Sequence, residues 1–145
     1  MEFAGDWILD SDGATRPMIR VYVFGADGNP YREEFLVDTG ADQAVFCANY
    51  FQLLGFPIAP MPPGSTFVGI GGESSFTEVH TTLELVAVDG TKIQVRGKYA
   101  AFTDPAAVAY NILGRDVLDH FDVIISRRRD QVRLLAGNHY YSIQT

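Results

Sequence analysis

The sequence predicts a mostly β, barrel-like domain, and three observations carry that reading. Short runs rich in Val, Ile, Phe and Tyr recur along the chain, separated by clusters of Asp, Asn, Gly and Pro. Several runs alternate polar and apolar residues, the two-residue period of a strand with one face wet and the other packed. Only two segments have helical character, and both are short. A chain of 145 residues is one domain's worth, long enough to bury a core.

Taken in order, residues 18–24 read as a strand, Asp27-Gly28-Asn29-Pro30 as a turn, and residues 32–37 as a second strand leading into Asp38. Residues 43–46 continue as strand. Ala48–Leu54 reads as a short helix ended by Gly55 and Pro57. Pro57, Pro60, Pro62, Pro63 and Gly64 then make an irregular loop. Residues 66–88 alternate around a glycine-rich centre, as a long hairpin would, and Asp89-Gly90 is a strong hairpin turn. Residues 91–99 alternate cleanly, and Asp104-Pro105 breaks the pattern. A buried strand over 108–113 leads into a helix of one or two turns over 115–120. Residues 122–126 and 131–135 look like a closing hairpin around Arg127, Arg128 and Arg129.

Bulk properties narrow the function. Hydrophobic content of 47% with 20% charged residues is that of a globular domain, not a disordered one. A net charge of −7 argues against nucleic acid as the main partner, because phosphate binding needs a basic field. Cys47 is the single cysteine, so no intrachain disulfide forms, and a reducing compartment fits. The start, Met1-Glu2-Phe3-Ala4-Gly5-Asp6, lacks the basic residues and apolar run of a secretory signal, and no apolar stretch approaches a membrane span. The expectation is a cytoplasmic protein with neither membrane nor nucleic acid as partner.

The chemistry is concentrated in Phe35-Leu36-Val37-Asp38-Thr39-Gly40-Ala41-Asp42. One carboxylate follows an apolar strand, then comes a hydroxyl, then a residue without a side chain. Far along the chain stands a companion, Tyr110-Asn111-Ile112-Leu113-Gly114-Arg115-Asp116. Asp-Thr-Gly alone is weak evidence. With its companion, and with Phe67-Val68-Gly69-Ile70-Gly71-Gly72 between them, the sequence resembles the retropepsin family of single-domain aspartic proteases, over residues 18–136.

That resemblance implies a closed β-barrel-like acid protease fold with a flap hairpin and one short C-terminal helix. It makes residues 1–17 an N-terminal extension and 137–145 a C-terminal tail. Asp38 is then the catalytic carboxylate, with Thr39, Gly40, Ala41, Asp42 and Arg115 supporting it. Val68, Gly69, Ile70, Gly71 and Gly72 form the flap over the substrate, and Ile112, Leu113 and Gly114 pass beneath the site. Glu73 and Ser74 depart from the retroviral pattern, where an apolar residue is common near the flap tip. Arg115 ties to Asp42 in a partly buried, bidentate contact. Phe35, Val37, Ile70 and Ile112 make an apolar groove reasonable. No metal or organic cofactor is implied.

Hydrolysis of a peptide bond by water needs a base and an acid, and two neighbouring carboxylates supply both. Like charges so close cannot both ionise, so one keeps its proton. This chain holds a single Asp-Thr/Ser-Gly, so the second carboxylate must come from a second copy. The expected assembly is a homodimer acting on a polypeptide. Ala41, where pepsin-like enzymes often carry Ser, removes a hydrogen bond to the ionised pair and predicts a less acidic optimum than pepsin's.

Plainer readings stand beside these. The same fold serves equally as a catalytically inactive dimerisation or peptide-binding module, and an Asp-Thr-Gly turn also suits an unrelated ligand-binding barrel. The arginine run reads as a solvated turn. His80, His120 and His139 match no metal-ligand spacing. Cys47 reads as a buried or capping residue. Trp7 and Tyr140-Tyr141 suit either an apolar cover or a dimer interface.

Overall fold

The computed structural model describes residues 1–58, 67–69, 72–106, 110–138, 140 and 142, with backbone alone in 67–69 and 72–74. Its elements are β1 (Glu2–Leu9), β2 (Thr15–Phe24), β3 (Pro30–Val37), β4 (Val45–Phe46), α1 (Ala48–Leu54), β5 (Phe67–Gly69) and β6 (Gly72–Ser74). They continue with β7 (Phe76–Val86), β8 (Lys92–Phe102), β9 (Asn111–Leu113), α2 (Arg115–Leu118), β10 (Asp122–Ser126) and β11 (Gln131–Leu135). The main sheet runs β10-β11-β1-β2-β3-β9-β4-β8-β7, and a further β2–β7 pairing closes its last six strands into a barrel. β5 and β6 pair with each other in a separate small sheet.

The two long hairpins follow from their turns. In the β2–β3 turn Asn29 N–H donates to Asp27 Oδ1 at 2.9 Å, and in the β7–β8 turn Thr91 N–H donates to Asp89 Oδ1 at 2.9 Å. Each Asp is followed by a glycine, and Gly28 has φ 80°. Those turns fix registers Met18↔Leu36 and Phe76↔Phe102, and with them which side chains point inward. Phe35, Phe46 and Tyr50 meet edge to face inside the barrel, with centroids 5.9–6.0 Å apart. α1 lays Tyr50, Phe51 and Leu54 on this cluster and stops at Gly55, which is left-handed at φ 78° and donates to Gln52 O.

Several elements differ from the sequence expectation. Residues 1–17 offered no pattern, yet Glu2–Leu9 is a strand that bridges β11 and β2. Gly5 there approaches Met18 so closely that a Cβ would lie 2.3 Å from the carbonyl oxygen. The strand expected over 43–46 is confined to Val45–Phe46, because Ala44 N–H donates to the Asp116 side chain and not to a strand. The helix expected over 115–120 ends at Leu118. Its exit tightens through His120 N–H to Val117 O and Phe121 N–H to Leu118 O, turning Phe121 into the core. Residues 59–64 of the proline loop, Thr66, and residues 108 and 109 of the expected strand lie outside the described residues.

Trp7 covers the closing hairpin. Its Nε1 donates to Ser126 O at 3.1 Å and Gln131 O at 3.3 Å, and the Arg127 guanidinium lies 5.5 Å over its ring. Arg127, Arg128 and Arg129 are exposed in that turn. Among the described residues no helix is long and apolar enough to cross a membrane.

Candidate active site

β3 runs parallel to β9, with Phe35, Leu36 and Val37 opposite Asn111, Ile112 and Leu113. Where the strands end, hydrogen bonds carry the alignment on. Asp38 N–H donates to Leu113 O at 3.1 Å, Arg115 N–H to Ala41 O at 2.8 Å, and Asp116 N–H to Asp42 O at 3.2 Å. The loop from 38 to 42 is thus laced along the whole segment from Leu113 to Asp116. Within it, Ala41 N–H returns to Asp38 O at 3.2 Å, and Gly40 N–H donates to the Asp38 carboxylate Oδ1 at 3.0 Å. Asp38 and Ala41 are half-buried, while Thr39 and Gly40 are exposed.

Three residues fix this loop from behind. A Cβ on Gly114 would lie 2.4 Å from both the carbonyl carbon and oxygen of Gln43, so only glycine lets the two backbones touch. Asp116 Oδ1 accepts from Ala44 N–H and Val117 N–H, both at 2.9 Å. Burial pushes the Asp116 carboxyl up from its ordinary range, and those backbone donors oppose the shift. Asn111, 2% exposed, accepts at Oδ1 from Cys47 N–H at 2.9 Å and so joins β9 to the start of α1. The sequence motif contains Asn111 and Asp116 but gives them no role. Their signal is a polar residue at each end of an otherwise apolar run, which needs a partner once buried.

The remaining expected residues are placed as follows. Arg115 Nη2 and Asp42 Oδ1 form an ion pair. The pair is open, with the side chains 51% and 81% exposed, so the expected partial burial is absent in the single chain. Ile112 is half-buried against Val45, Ala100 and Phe102, and Leu113 is buried in the main core. Phe35 and Val37, expected beside a groove, are core residues at 0% and 4% exposure, because the strand period turns them inward. Of the residues expected in a flap, Val68 pairs with Glu73 and Gly69 with Gly72. Ile70 and Gly71 lie outside the described residues. So do His139 and Tyr141. Cys47 stands at the N-cap of α1 without a side-chain cap bond.

Comparison with known proteins decides the family. The family described as "Retroviral aspartyl protease" matches residues 13–126, a span that contains both laced segments and the β5–β6 hairpin. The chain belongs to the retroviral aspartyl protease family. Its fold is similar to that of a retropepsin-like aspartic protease from Rickettsia conorii, at TM-score 0.59 and 20% identity, covering 92% of this chain and 98% of that one. It is also similar to the EIAV protease, solved with the inhibitor HBY-793, at TM-score 0.50 and 22% identity, covering 72% of this chain and 86% of that one. Among curated proteins none matches. In this aspartyl protease family member, the Rickettsia likeness spans most of the chain, while the family match ends with β10.

Proposed function

We propose that the protein is an aspartic endopeptidase acting as a homodimer, with Asp38 of each subunit flanking one water. The observation that carries this reading is the Asp38 loop itself. A half-buried carboxylate is held by Gly40 N–H on a loop fixed by hydrogen bonds to 113–116, inside a chain of this family that has one such motif. One carboxylate makes half of an acid–base pair. Its twofold mate supplies the other half.

The chemistry follows from the pairing. One carboxylate of the pair keeps a proton because two adjacent negative charges repel. The ionised partner takes a proton from water as that water attacks the peptide carbonyl, and the protonated one polarises the carbonyl. The leaving nitrogen is then protonated and departs. The two groups titrate together, so apparent values belong to the pair. Thr39, exposed beside Asp38, would donate across the axis and fix the register of the two loops. An extended polypeptide would lie between the subunits beneath the β5–β6 hairpins, with Ile112 in the floor. The Asp42–Arg115 pair would gain weight once a second subunit covers it. Residues 18–136 form the protease domain in this reading, and the half-buried Cys47 suits a reducing interior such as the cytoplasm.

The test is cleavage of a peptide library from mildly acidic to neutral pH by the parent and by Asp38→Asn. The expected outcome is cleavage by the parent and a loss of about 10³-fold in the variant, which stays folded. A stable dimer that cleaves nothing would replace this reading with a binding module. A rate peaking near pH 2 would contradict the Ala41 argument.

A further inference from the structure

β7 and β8 pair from Phe76↔Phe102 to Val86↔Lys92, and the two-residue period sends alternate side chains to opposite faces. Ile93, Val95, Tyr99 and Ala101 of β8 pack on the main core. The other face carries Lys92, Gln94, Arg96 and Lys98, all exposed, and then Ala100 and Phe102, which are buried with Val45 against Ile112. One face of β8 thus passes from a covered apolar end beside the candidate site to an open, cationic stretch. Arg96 and Lys98, with His80 and Thr82 opposite them on β7, line a shallow groove of about 420 Å³.

The charges in that groove are open. Among the described residues, Arg96 and Lys98 face no carboxylate, whereas Arg16 lies 2.6 Å from Asp12 and Arg133 2.7 Å from Glu2. The carboxylates of β7 on the same face are engaged, Glu78 by His80 at 2.8 Å and Glu84 by Gln94 at 2.9 Å. Two open cations side by side in a chain of net charge −7 attract an anion from outside. Their spacing says which kind. Positions 96 and 98 are two residues apart on one face, about 7 Å along the strand. Alternate side chains of an extended peptide have the same spacing, so an acid at every second residue sets one carboxylate at each cation. Nucleic acid fits less well, because it needs a wide basic field and Glu78 and Glu84 flank this pair. Lys98 precedes Ala100 on the same face, so a chain extended over Ile112 reaches the cations within a few residues.

We propose that the face of β7 and β8 at Arg96 and Lys98 is a docking site for an acidic, extended segment of the polypeptide substrate, outside the bond that is cleaved. The proposal rests on the endopeptidase reading of Asp38 given above. It gives this face a choice among polypeptides and no part in the chemistry.

Binding is read in the full Asp38→Asn chain, with a short fluorescent peptide that alternates glutamate and threonine, and folding is followed by circular dichroism. Fluorescence anisotropy is expected to show saturable binding that weakens about tenfold when Arg96→Glu/Lys98→Glu is added, and less with Arg96→Gln/Lys98→Gln. The Arg32→Glu/Arg128→Glu pair makes the same change in net charge on other exposed arginines and is expected to hold the affinity within about twofold. Equal weakening by both glutamate pairs overturns the docking site. So does an absence of saturable binding, or tighter binding of an oligonucleotide of the same charge. In the parent, joining the acidic segment to a peptide that is cut is expected to lower KM about fivefold with kcat unchanged, an effect lost in Arg96→Glu/Lys98→Glu. A parent that cuts peptides without this preference overturns the docking site and leaves the endopeptidase reading standing. A parent that binds the acidic peptide but cuts nothing overturns the endopeptidase reading, and the substrate role of the face with it.

Discussion

At the Asp38 end of the barrel, side-chain acceptors stand where strand partners run out. Beside the barrel, where β10, β11 and β1 pair in turn, the ladder is continuous and the packing is apolar. The first region relies on Asp116 and Asn111 to receive the Ala44 and Cys47 amides, and on Gly114 to let two backbones touch. The second relies on Phe3, Val132 and Leu134, all at most 1% exposed, with Phe3 meeting Phe121 edge to face at 5.5 Å. Both are rigid, for different reasons. A loop that must keep a fixed shape cannot use a ladder, so it borrows carboxylate and amide oxygens, and each borrowed bond has a single supplier. Apolar packing spreads its contribution over many contacts, so one substitution removes a fraction of it.

The contrast orders the expected effects of substitution. Gly114→Ala drives a methyl group into Gln43 and is expected to destabilise by about 3 kcal/mol, read from denaturant midpoints. A midpoint unchanged from the parent would mean that the two backbones can separate. Asp116→Ala strands the amide of Ala44, leaves Val117 N–H with Gly114 O alone, and is expected to cost about 2 kcal/mol, while Asp116→Asn keeps an acceptor and costs less.

The pH dependence separates those two effects. The folded Asp116 carboxyl is raised above its unfolded value of 3.8, so the fold favours the protonated form. Its contribution is complete below 3.8 and is lost as pH rises through the folded value. Asp116→Asn is therefore expected to gain on the parent as pH rises through that window. A constant difference between them across the window would show that the carboxyl is not shifted.

Trp7→Phe tests the apolar region. It keeps a ring but loses the donor to Ser126 O and Gln131 O, with an expected cost of about 1 kcal/mol in the same denaturant titration. Arg115→Leu is expected to be smallest, within about 1 kcal/mol for the isolated chain, because both partners of its ion pair are open to solvent. A larger loss on dilution than in the concentrated protein would show that a second subunit covers the pair.

Much of this was legible in the sequence. Ala48–Leu54 and the closing hairpin have the bounds that composition and turn signals gave them, because local chemistry sets both. β1 was not legible. A glycine weakens the strand pattern there, and the fold uses Gly5 where Met18 O leaves no room for a Cβ. The roles of Asn111 and Asp116 were equally hidden, since their amide partners stand 64 and 72 residues away. Sequence reading also buried the Asp42–Arg115 pair too deeply, because pairing two charges says nothing about how much solvent reaches them.

The parallel alignment of β3 with β9 has one more consequence, in time. Synthesis delivers Asp38 well before Leu113, Arg115 and Asp116, with three strands of the barrel (β4, β7 and β8) emerging between them. Closing so long a segment is slow compared with forming the hairpins on either side. A nascent or stalled chain therefore carries its aspartate on an unshaped loop, and acquires an ordered one only once the segment from Leu113 to Asp116 has followed it out.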